Sequence, residues 1–126
     1  MDGAAGASEV LYEVKDRIAT ITLNRPERMN TISATMLDEL GARLLEADRD
    51  DEVRVVILTG TGRMFCAGLD LQSATSGSGI GSADHAAKPA TNLDLKTAPP
   101  TVLFNMDKPT ICALNGPAAS HIPRPA

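Results

Sequence analysis

Two runs of apolar and β-branched residues near the N-terminus are separated by a short polar stretch. Residues 10–14 and 17–23 are rich in β-branched side chains, and the polar pair Lys15-Asp16 lies between them. Two such runs joined by a short polar connection are typical of a β-hairpin. The pattern ends at Pro26, which lacks an amide donor and disfavours helical geometry at the residue before it.

Residues 33–49 show helical periodicity instead. Ser33 is a typical N-cap residue, and Glu39 and Glu46 are assigned to a solvated outer face. The apolar residues recur at spacings of three and four and form one face: Met36, Leu37, Leu40, Leu44 and Ala47. The pattern predicts a helix over residues 33–49 that packs one face against a sheet.

Two further apolar runs have the composition of buried strands. Residues 53–59 form an almost continuous β-branched run, and residues 110–114 form a second apolar run. Strands covered on both faces in parallel sheets have this composition. We therefore expect two adjacent, buried, parallel strands, with the helix at 33–49 as the crossover of a right-handed βαβ unit. Residues 101–106 are expected to be the end of a second helix.

The chain between these runs is polar. Residues 72–101 are rich in Ser, Gly, Ala and Pro, which favours a loop or a lid, and His85 is expected to be solvated within it. The pattern divides the chain into a flexible leader at 1–8, one domain over 9–119 and a tail at 120–126.

The composition fits one ordinary globular domain. The chain has 126 residues, of which 43% are hydrophobic and 22% are charged, and its net charge is −4. This charge supplies no basic surface for a phosphate backbone, so nucleic acid is not expected as a partner. No apolar run approaches the roughly 20 residues that cross a bilayer, and the N-terminus lacks a basic-then-apolar targeting pattern. We expect a cytoplasmic protein that does not contact membranes.

The two cysteines, Cys66 and Cys112, belong to no CxxC motif and to no Cys/His cluster. A zinc site or a disulfide framework is therefore not expected, and we predict two reduced, largely buried thiols. A nucleophilic role for Cys66 would need a nearby base, but the histidines are His85 and His121. The sequence predicts no metal site, and it shows no pair of carboxylates placed for acid–base catalysis.

Three motifs follow one another in the chain. The first, LNRPERMN at residues 23–30, comes after the predicted hairpin, and the second, FCAGLDL at 65–71, comes after a predicted strand. The third is KPTICALNGPAA at 108–119. Together they resemble the crotonase family, the enoyl-CoA hydratase/isomerase superfamily, over residues 10–119. The resemblance implies an α/β fold, the crotonase-like β/α spiral (ClpP/crotonase type), here incomplete.

The resemblance also implies an oxyanion hole, in which two backbone amides stabilise the enolate of a CoA thioester. Backbone donors fixed at a tight turn need no reorganisation when charge develops on the thioester oxygen. The family motif assigns the first donor to the amide of Leu69, which follows Gly68. Gly68 would let the backbone approach the ligand, and Asp70 would cap a short helix after it.

A binding site for the CoA part of an acyl-CoA substrate is implied as well. A positive charge in the first motif suits a ligand that carries several phosphates, and Arg25 could contribute in the same way as Arg28. No separate cofactor is implied, since coenzyme A enters as part of the substrate, and full-length relatives are expected to be homo-oligomers. The residues expected to line the CoA site are Arg28, Met29, Ala67, Leu69 and Asp70.

Residues 120–126 depart from the family pattern. The family continues with a Gly- or Ala-rich run that opens a helix and supplies the second amide, whereas this chain has Ser-His-Ile at 120–122, followed by Pro123 and Pro125. Proline at these positions is incompatible with a continuing helix. We interpret the tail as a truncation, a frameshifted end or a gene-model error, placed before the acid and base residues of the hydratases.

Two functional hypotheses follow from the sequence. The first is an enoyl-CoA hydratase/isomerase family protein acting on acyl-CoA thioesters, although the 126-residue chain alone is expected to be inactive. The second is a non-catalytic CoA-binding remnant or an interaction module. Within the first hypothesis, hydratases, isomerases, thioester hydrolases and ring-forming synthases share these N-terminal motifs, so the type of reaction and the acyl group stay open.

Overall fold

The computed structural model describes residues 8–69 and 96–119. The elements are β1 (Val10–Lys15), β2 (Ile18–Leu23), a 3-10 helix (Pro26–Arg28), α1 (Ala34–Arg49), β3 (Val55–Gly60), α2 (Pro99–Asn105) and β4 (Thr110–Cys112). The strands form one four-stranded sheet in the order β1-β2-β3-β4, in which β1 and β2 are antiparallel and the other neighbours are parallel. The predicted hairpin, helices and adjacent parallel strands are confirmed.

The hairpin turn lies one residue further along than the sequence pattern indicates. Lys15 still pairs with Ile18 in the ladder, and the two turn residues are Asp16 and Arg17. Both have left-handed backbones, with φ of 53° and 67°. Two consecutive left-handed residues define the turn that matches the twist of a two-residue hairpin. A polar pair therefore predicts a hairpin, but the twist of the strands determines which two residues form the turn.

Helix α1 begins where the sequence predicts. The Ser33 hydroxyl accepts a hydrogen bond from the Met36 amide at 3.0 Å and donates to the Glu9 carboxylate at 2.7 Å. An N-cap of this kind satisfies one of the free amides of the first turn. The Ser33 side chain therefore also links the start of α1 to Glu9, the residue before β1.

The apolar face of α1 packs on one face of the sheet. Met36, Leu44 and Ala47 of the helix are fully buried, in one cluster with Ala19 and Ile21 of β2. Burial of such side chains contributes about 1.5–3 kcal/mol each for the larger ones. The further buried members of this cluster are Val10, Leu23, Val53, Val56 and Val102.

The two glutamates assigned to the outer face of α1 behave differently. Glu46 is exposed and forms an ion pair with Arg43 at 2.7 Å, as expected for a solvated face. Glu39 is half-buried and accepts hydrogen bonds from the Ser8 hydroxyl and the Val10 amide, both at 3.1 Å. The solvated assignment is therefore wrong for Glu39, because its carboxylate accepts from the Val10 amide at the start of β1, which also donates to the Ser8 hydroxyl oxygen at 3.3 Å.

The C-terminal end of α1 is capped from a distant part of the chain. The Lys108 ammonium donates to the carbonyls of Ala47 at 2.7 Å and Asp50 at 2.6 Å. A cation at a helix C-terminus also interacts favourably with the helix dipole. Lys108 lies just before β4, so this contact joins the last strand to the main helix.

The burial predicted for β3 and β4 is only partly correct. Val56 of β3 is fully buried on the face covered by α1, whereas Ile57, on the opposite face, is half-buried. All three residues of β4 are exposed, and Ile111 has 53% of its surface accessible. In the described part of the chain, helices cover only one face of the sheet. An apolar run in the sequence therefore does not show that a second layer packs on the other face of the strand.

No helix in the described segments has both the length and the apolar character needed to span a bilayer.

Candidate functional site

The first and second motifs lie side by side in space. The Ala67 amide donates to the Met29 carbonyl at 3.1 Å, and the Ile32 amide donates to the Gly68 carbonyl at 2.7 Å. Ile32 and Leu69 form an isolated parallel bridge. These bonds place the turn at Gly68 against the loop of the first motif.

The third motif pairs with the opposite edge of the same segment. The Phe65 amide donates to the Pro117 carbonyl at 3.0 Å, and the Ala119 amide donates to the Cys66 carbonyl at 2.9 Å. Cys66 and Ala118 form a second parallel bridge. The second motif is therefore the middle segment of three, and motifs far apart in sequence converge on one small layer.

This pairing sets the direction of the Leu69 amide. No cis peptide bond occurs in the described residues, and in a trans peptide the carbonyl and the following N–H point in opposite directions. The Gly68 carbonyl is directed at Ile32, so the N–H of Leu69 is directed away from the first motif. It faces the side on which Ala119 lies, and the Leu69 side chain is 49% exposed.

Gly68 gives the turn its shape. Its φ is 92°, in the region that side chains other than glycine rarely adopt, and the residue is buried. Its amide donates to the Cys66 sulfur at 3.4 Å. A positive φ at a buried position suits glycine, and the predicted approach of a ligand to the Gly68 backbone stays a prediction.

The loop of the first motif presents one apolar side chain to solvent. Met29 has a left-handed backbone with φ of 54° and is 45% exposed. Arg28 is half-buried and ends the 3-10 helix, and Ala67 is 2% exposed. Because the Ala67 amide donates to the Met29 carbonyl, this amide is not available to a ligand.

Arg25 has a structural position and does not repeat the role considered for Arg28. It is 8% exposed, and its guanidinium contacts the Glu9 carboxylate at 3.1 Å and the Thr31 carbonyl at 2.5 Å. A buried arginine that is paired and hydrogen-bonded in this way holds the loop to the start of β1. The structure therefore assigns Arg25 to loop support, and the proposed contact with ligand phosphates is not retained.

Asn30 is a central residue of the site to which the sequence analysis gave no role. Its side chain is fully buried, its Oδ1 accepts from the Arg25 amide at 2.7 Å, and its Nδ2 donates to the carbonyls of Thr61 at 3.0 Å and Met64 at 2.8 Å. Asn115 of the third motif donates to the same Met64 carbonyl at 3.2 Å. Both asparagines occur in the motifs, but only their contacts across the chain reveal what they do.

Other candidate groups are not assembled into a site in the described part of the chain. Cys66 is half-buried and Cys112 is exposed; both are free thiols, so the predicted burial is wrong for Cys112, which lies on the uncovered β4. No group of three or more metal-ligating side chains occurs among the described residues. Asp70, His85 and residues 120–126 lie outside the described residues.

Comparison with known sequences identifies the family. The sequence model of the enoyl-CoA hydratase/isomerase family matches residues 13–120. The chain is 39% identical to 1,2-epoxyphenylacetyl-CoA isomerase of Escherichia coli and 38% identical to a probable peroxisomal enoyl-CoA hydratase of Arabidopsis thaliana. The matches cover 87% and 86% of this chain but only 41% and 38% of the respective relatives, so the chain spans about two fifths of their length.

Solved structures give the same answer. An enoyl-CoA hydratase from Mycobacterium marinum superposes with a TM-score of 0.69 at 32% identity, covering 86% of this chain and 48% of that one. An enoyl-CoA hydratase/isomerase from Xanthobacter autotrophicus superposes with a TM-score of 0.67 at 36% identity, covering 87% and 39%. The predicted crotonase-type α/β fold is thus confirmed. The ordered motifs, their convergence in space and these similarities show that the chain belongs to the enoyl-CoA hydratase/isomerase family, the crotonases.

Proposed function

We propose that this chain binds acyl-CoA thioesters and supplies the first of two backbone amides that polarise the thioester carbonyl. The observation that carries this proposal is the direction of the Leu69 N–H, which the Gly68–Ile32 hydrogen bond turns away from the first motif. The names of the two relatives both specify CoA thioesters, one for an isomerase and one for a hydratase. The chemistry they share is activation of the thioester.

The physical basis is electrostatic preorganisation. When an enolate forms, negative charge develops on the thioester oxygen, and a donor already held in place stabilises this charge without moving. The two hydrogen bonds made by Gly68 and Ala67 to the first motif fix the peptide that carries the Leu69 amide. Removal of one such donor commonly lowers turnover on the order of a hundredfold to a thousandfold.

The CoA moiety is assigned to the loop beside this amide. In this proposal the Arg28 guanidinium attracts the phosphates, the exposed Met29 side chain contacts the nucleotide, and the Ala67 carbonyl accepts a hydrogen bond from it. In this proposal Leu69 adjoins the pantetheine, and Asp70 is included in the CoA site on the family resemblance alone. CoA is part of the substrate here, and the proposal includes no separate cofactor.

A carbonyl-labelled thioester tests the role of the Leu69 amide. Crotonyl-CoA with ¹³C at the thioester carbon should show a downfield carbonyl resonance when bound, because a hydrogen bond polarises the carbonyl. Leu69→Pro deletes the N–H and should return the resonance toward the free value, whereas Leu69→Ala keeps the N–H and should not. A bound thioester whose resonance is the same in all three proteins would reject this assignment.

Charge reversal tests the CoA loop. Arg28→Glu should weaken CoA binding in calorimetry, more at low salt than at high salt, because like charges repel and salt screens them. Arg54→Glu makes the same change in charge at an exposed residue before β3 and is the matched control. Dephospho-CoA should lose less affinity than CoA, and equal losses in the Arg28 and Arg54 variants would remove Arg28 from the site.

Hydration of crotonyl-CoA distinguishes catalysis from binding alone. We expect no turnover by the 126-residue chain, because residues 120–122 are Ser-His-Ile followed by Pro123 where the family pattern has a glycine-rich second donor. The same departure favours the second candidate function, a CoA-binding module without chemistry. Turnover close to that of an intact family member would exclude the second candidate and show that the tail does supply the missing groups.

A further inference from the structure

Two side-chain amides hold the loop that leads into the oxyanion turn. This loop, residues 61–64, connects β3 to the segment that ends at Leu69, and Thr61 is anchored by its own amide to the Leu23 carbonyl at 2.9 Å. Asn30 reaches the loop from the first motif and Asn115 reaches it from the third.

The contacts leave few loop carbonyls unbound. Asn30 donates to the carbonyl of Thr61 at 3.0 Å, Asn115 donates to that of Gly62 at 2.9 Å, and both donate to that of Met64, at 2.8 and 3.2 Å. A carbonyl oxygen has two lone pairs, so Met64 can accept from both sides at once. The Met64 peptide is therefore restrained against rotation from two directions.

Two glycines show how closely the backbones are packed here. A Cβ atom added to Gly60 would lie 3.0 Å from each of Asn30 Nδ2, Asn115 Oδ1 and the Phe65 carbonyl oxygen. At Gly116, next to the second asparagine, an added Cβ would overlap the backbone carbonyl of Arg63. The chain thus has room for the two amides and for no side chain between them.

Backbone hydrogen bonds along the segment after Met64 connect the restrained Met64 peptide to the Leu69 amide. Immediately after Met64, the Phe65 amide bonds the third motif and the Ala67 amide bonds the first. An extended segment paired on both edges cannot shift along one neighbour without breaking bonds to the other. The orientation of the Met64 peptide therefore sets the register of the segment that carries Leu69.

We propose that Asn30 and Asn115 are positioning residues for the oxyanion donor: they grip the Met64 carbonyl from two sides and thereby fix the Leu69 amide toward the thioester. The proposal rests on the proposed function for its chemistry, but the grip itself can be measured without ligand. Asn30 is buried and makes three hydrogen bonds, whereas Asn115 is exposed, so Asn30 has the larger share.

Isosteric substitutions provide the test. Asn30→Asp keeps the acceptor oxygen that faces Arg25 but sets a carboxylate oxygen against two carbonyls, and Asn115→Asp does the same from the exposed side. Asn24→Asp is the matched control, because Asn24 lies in the same motif and donates to the Ser8 carbonyl at 3.1 Å, away from the loop. The full chain is used throughout.

The first readout is amide hydrogen exchange of Phe65 and Ala67 in the absence of ligand. We expect exchange at these amides to be about tenfold faster or more in Asn30→Asp, less so in Asn115→Asp, and unchanged in the control. If Asn30→Asp unfolds the whole chain, the milder Asn115→Asp decides. Exchange equal to that of the parent in Asn115→Asp and in any folded Asn30→Asp would overturn the proposal.

The second readout separates positioning from mere support. With ¹³C-labelled crotonyl-CoA, Asn30→Asp and Asn115→Asp should lose part of the downfield carbonyl displacement while their affinity for free CoA stays within about twofold of the parent. Faster exchange with an unchanged carbonyl resonance would show that the asparagines support the loop without positioning the donor, and it would overturn the proposal. If the parent itself displaces no carbonyl resonance, the proposed function fails, and the exchange result alone decides whether the grip exists.

Discussion

Strands β2 and β4 belong to one sheet, yet they are held in place by different forces. Alternate residues of β2, namely Ala19, Ile21 and Leu23, are at most 3% exposed beneath α1, whereas every residue of β4 is exposed. We call β1–β3 with α1 the covered region, and β4 with residues 113–119 the open region. The covered region is stabilised chiefly by apolar burial.

The open region is attached by polar contacts. The Thr59 hydroxyl donates to the Ala113 carbonyl at 2.7 Å, Lys108 caps α1, and Asn115 binds the loop at 61–64. Apolar side chains in and near this region stay accessible: Leu114 is 62% exposed, and Phe104 of α2 is 89% exposed. The comparison indicates that directional bonds, not hydrophobic cover, place the third motif beside the second.

The largest expected effect comes from truncating the core of the covered region. Leu44→Ala should destabilise the chain by about 2–5 kcal/mol, because it removes buried methyl groups and leaves a cavity. Ile111→Ala in β4 should cost below about 1 kcal/mol, since half of that side chain is already in water. Urea unfolding of both variants measures the difference, and equal losses would contradict the division into two regions.

A smaller effect should come from the lysine that links the regions. Lys108→Met keeps the length of the side chain but leaves the carbonyls of Ala47 and Asp50 without their cation, and should cost about 1–2 kcal/mol. Lys15→Met, at an exposed strand end, is the matched control and should change the free energy of unfolding by less than about 0.5 kcal/mol. Amide exchange at β4 should rise more than at β2, and a uniform rise would count against a local link.

Much of the covered region could be predicted from the sequence because local patterns specify it. The β-rich runs at β1 and β2, the Ser33 cap and the helical spacing of Met36 and Leu44 lie within short windows, and the structure confirms all of them. The turn itself lies at Asp16 and Arg17, one residue later than the polar pair Lys15-Asp16 indicates, because a polar pair predicts a turn without fixing the twist of the strands.

The open region could not be predicted in the same way, because its contacts join residues far apart in sequence. Lys108 and Ala47 are separated by 61 residues, and Asn115 and Gly62 by 53. The apolar run at 110–114 predicted a buried strand, but burial depends on a second layer that no local pattern reports. The motifs predict a role for Leu69 from local sequence, whereas the hydrogen bonds of Asn30 join residues 31 and 34 positions apart and are visible only in the structure.

The hairpin turn offers a change that should strengthen the covered region. Arg17 is exposed with φ of 67°, where an L-residue is strained by about 1–2 kcal/mol, so Arg17→Gly should stabilise the chain by up to about 1 kcal/mol after the entropy cost of glycine. Lys15→Gly is the control, because Lys15 is in strand geometry and should lose about 0.5–1 kcal/mol. Thermal unfolding distinguishes the two signs, and destabilisation by both changes would show that the turn is not strained.

The smallest effect concerns Tyr12, which tests how far the cover over β1 extends. Its hydroxyl is buried without a hydrogen-bond partner among the described residues, and the Arg43 guanidinium lies 5.5 Å from the ring centroid. Burial raises the pKa of Tyr12 above its ordinary value of 10.0; the charges of Glu46 and Asp50 raise it further, and Arg43 opposes them. The folded chain therefore keeps the phenolic proton at a pH where the unfolded chain releases it.

The sign of the pH dependence follows from this proton. Stability from the neutral phenol is present below about pH 10 and is lost as pH rises from there through the raised pKa, because only the unfolded state then ionises freely. Tyr12→Phe should abolish this part of the decline and change stability little at neutral pH, since the lost hydroxyl makes no hydrogen bond to the described residues. The chain has a single tyrosine, so phenolate absorbance titrates this group directly. A midpoint at the ordinary value would show that water reaches the hydroxyl and that the cover ends before β1.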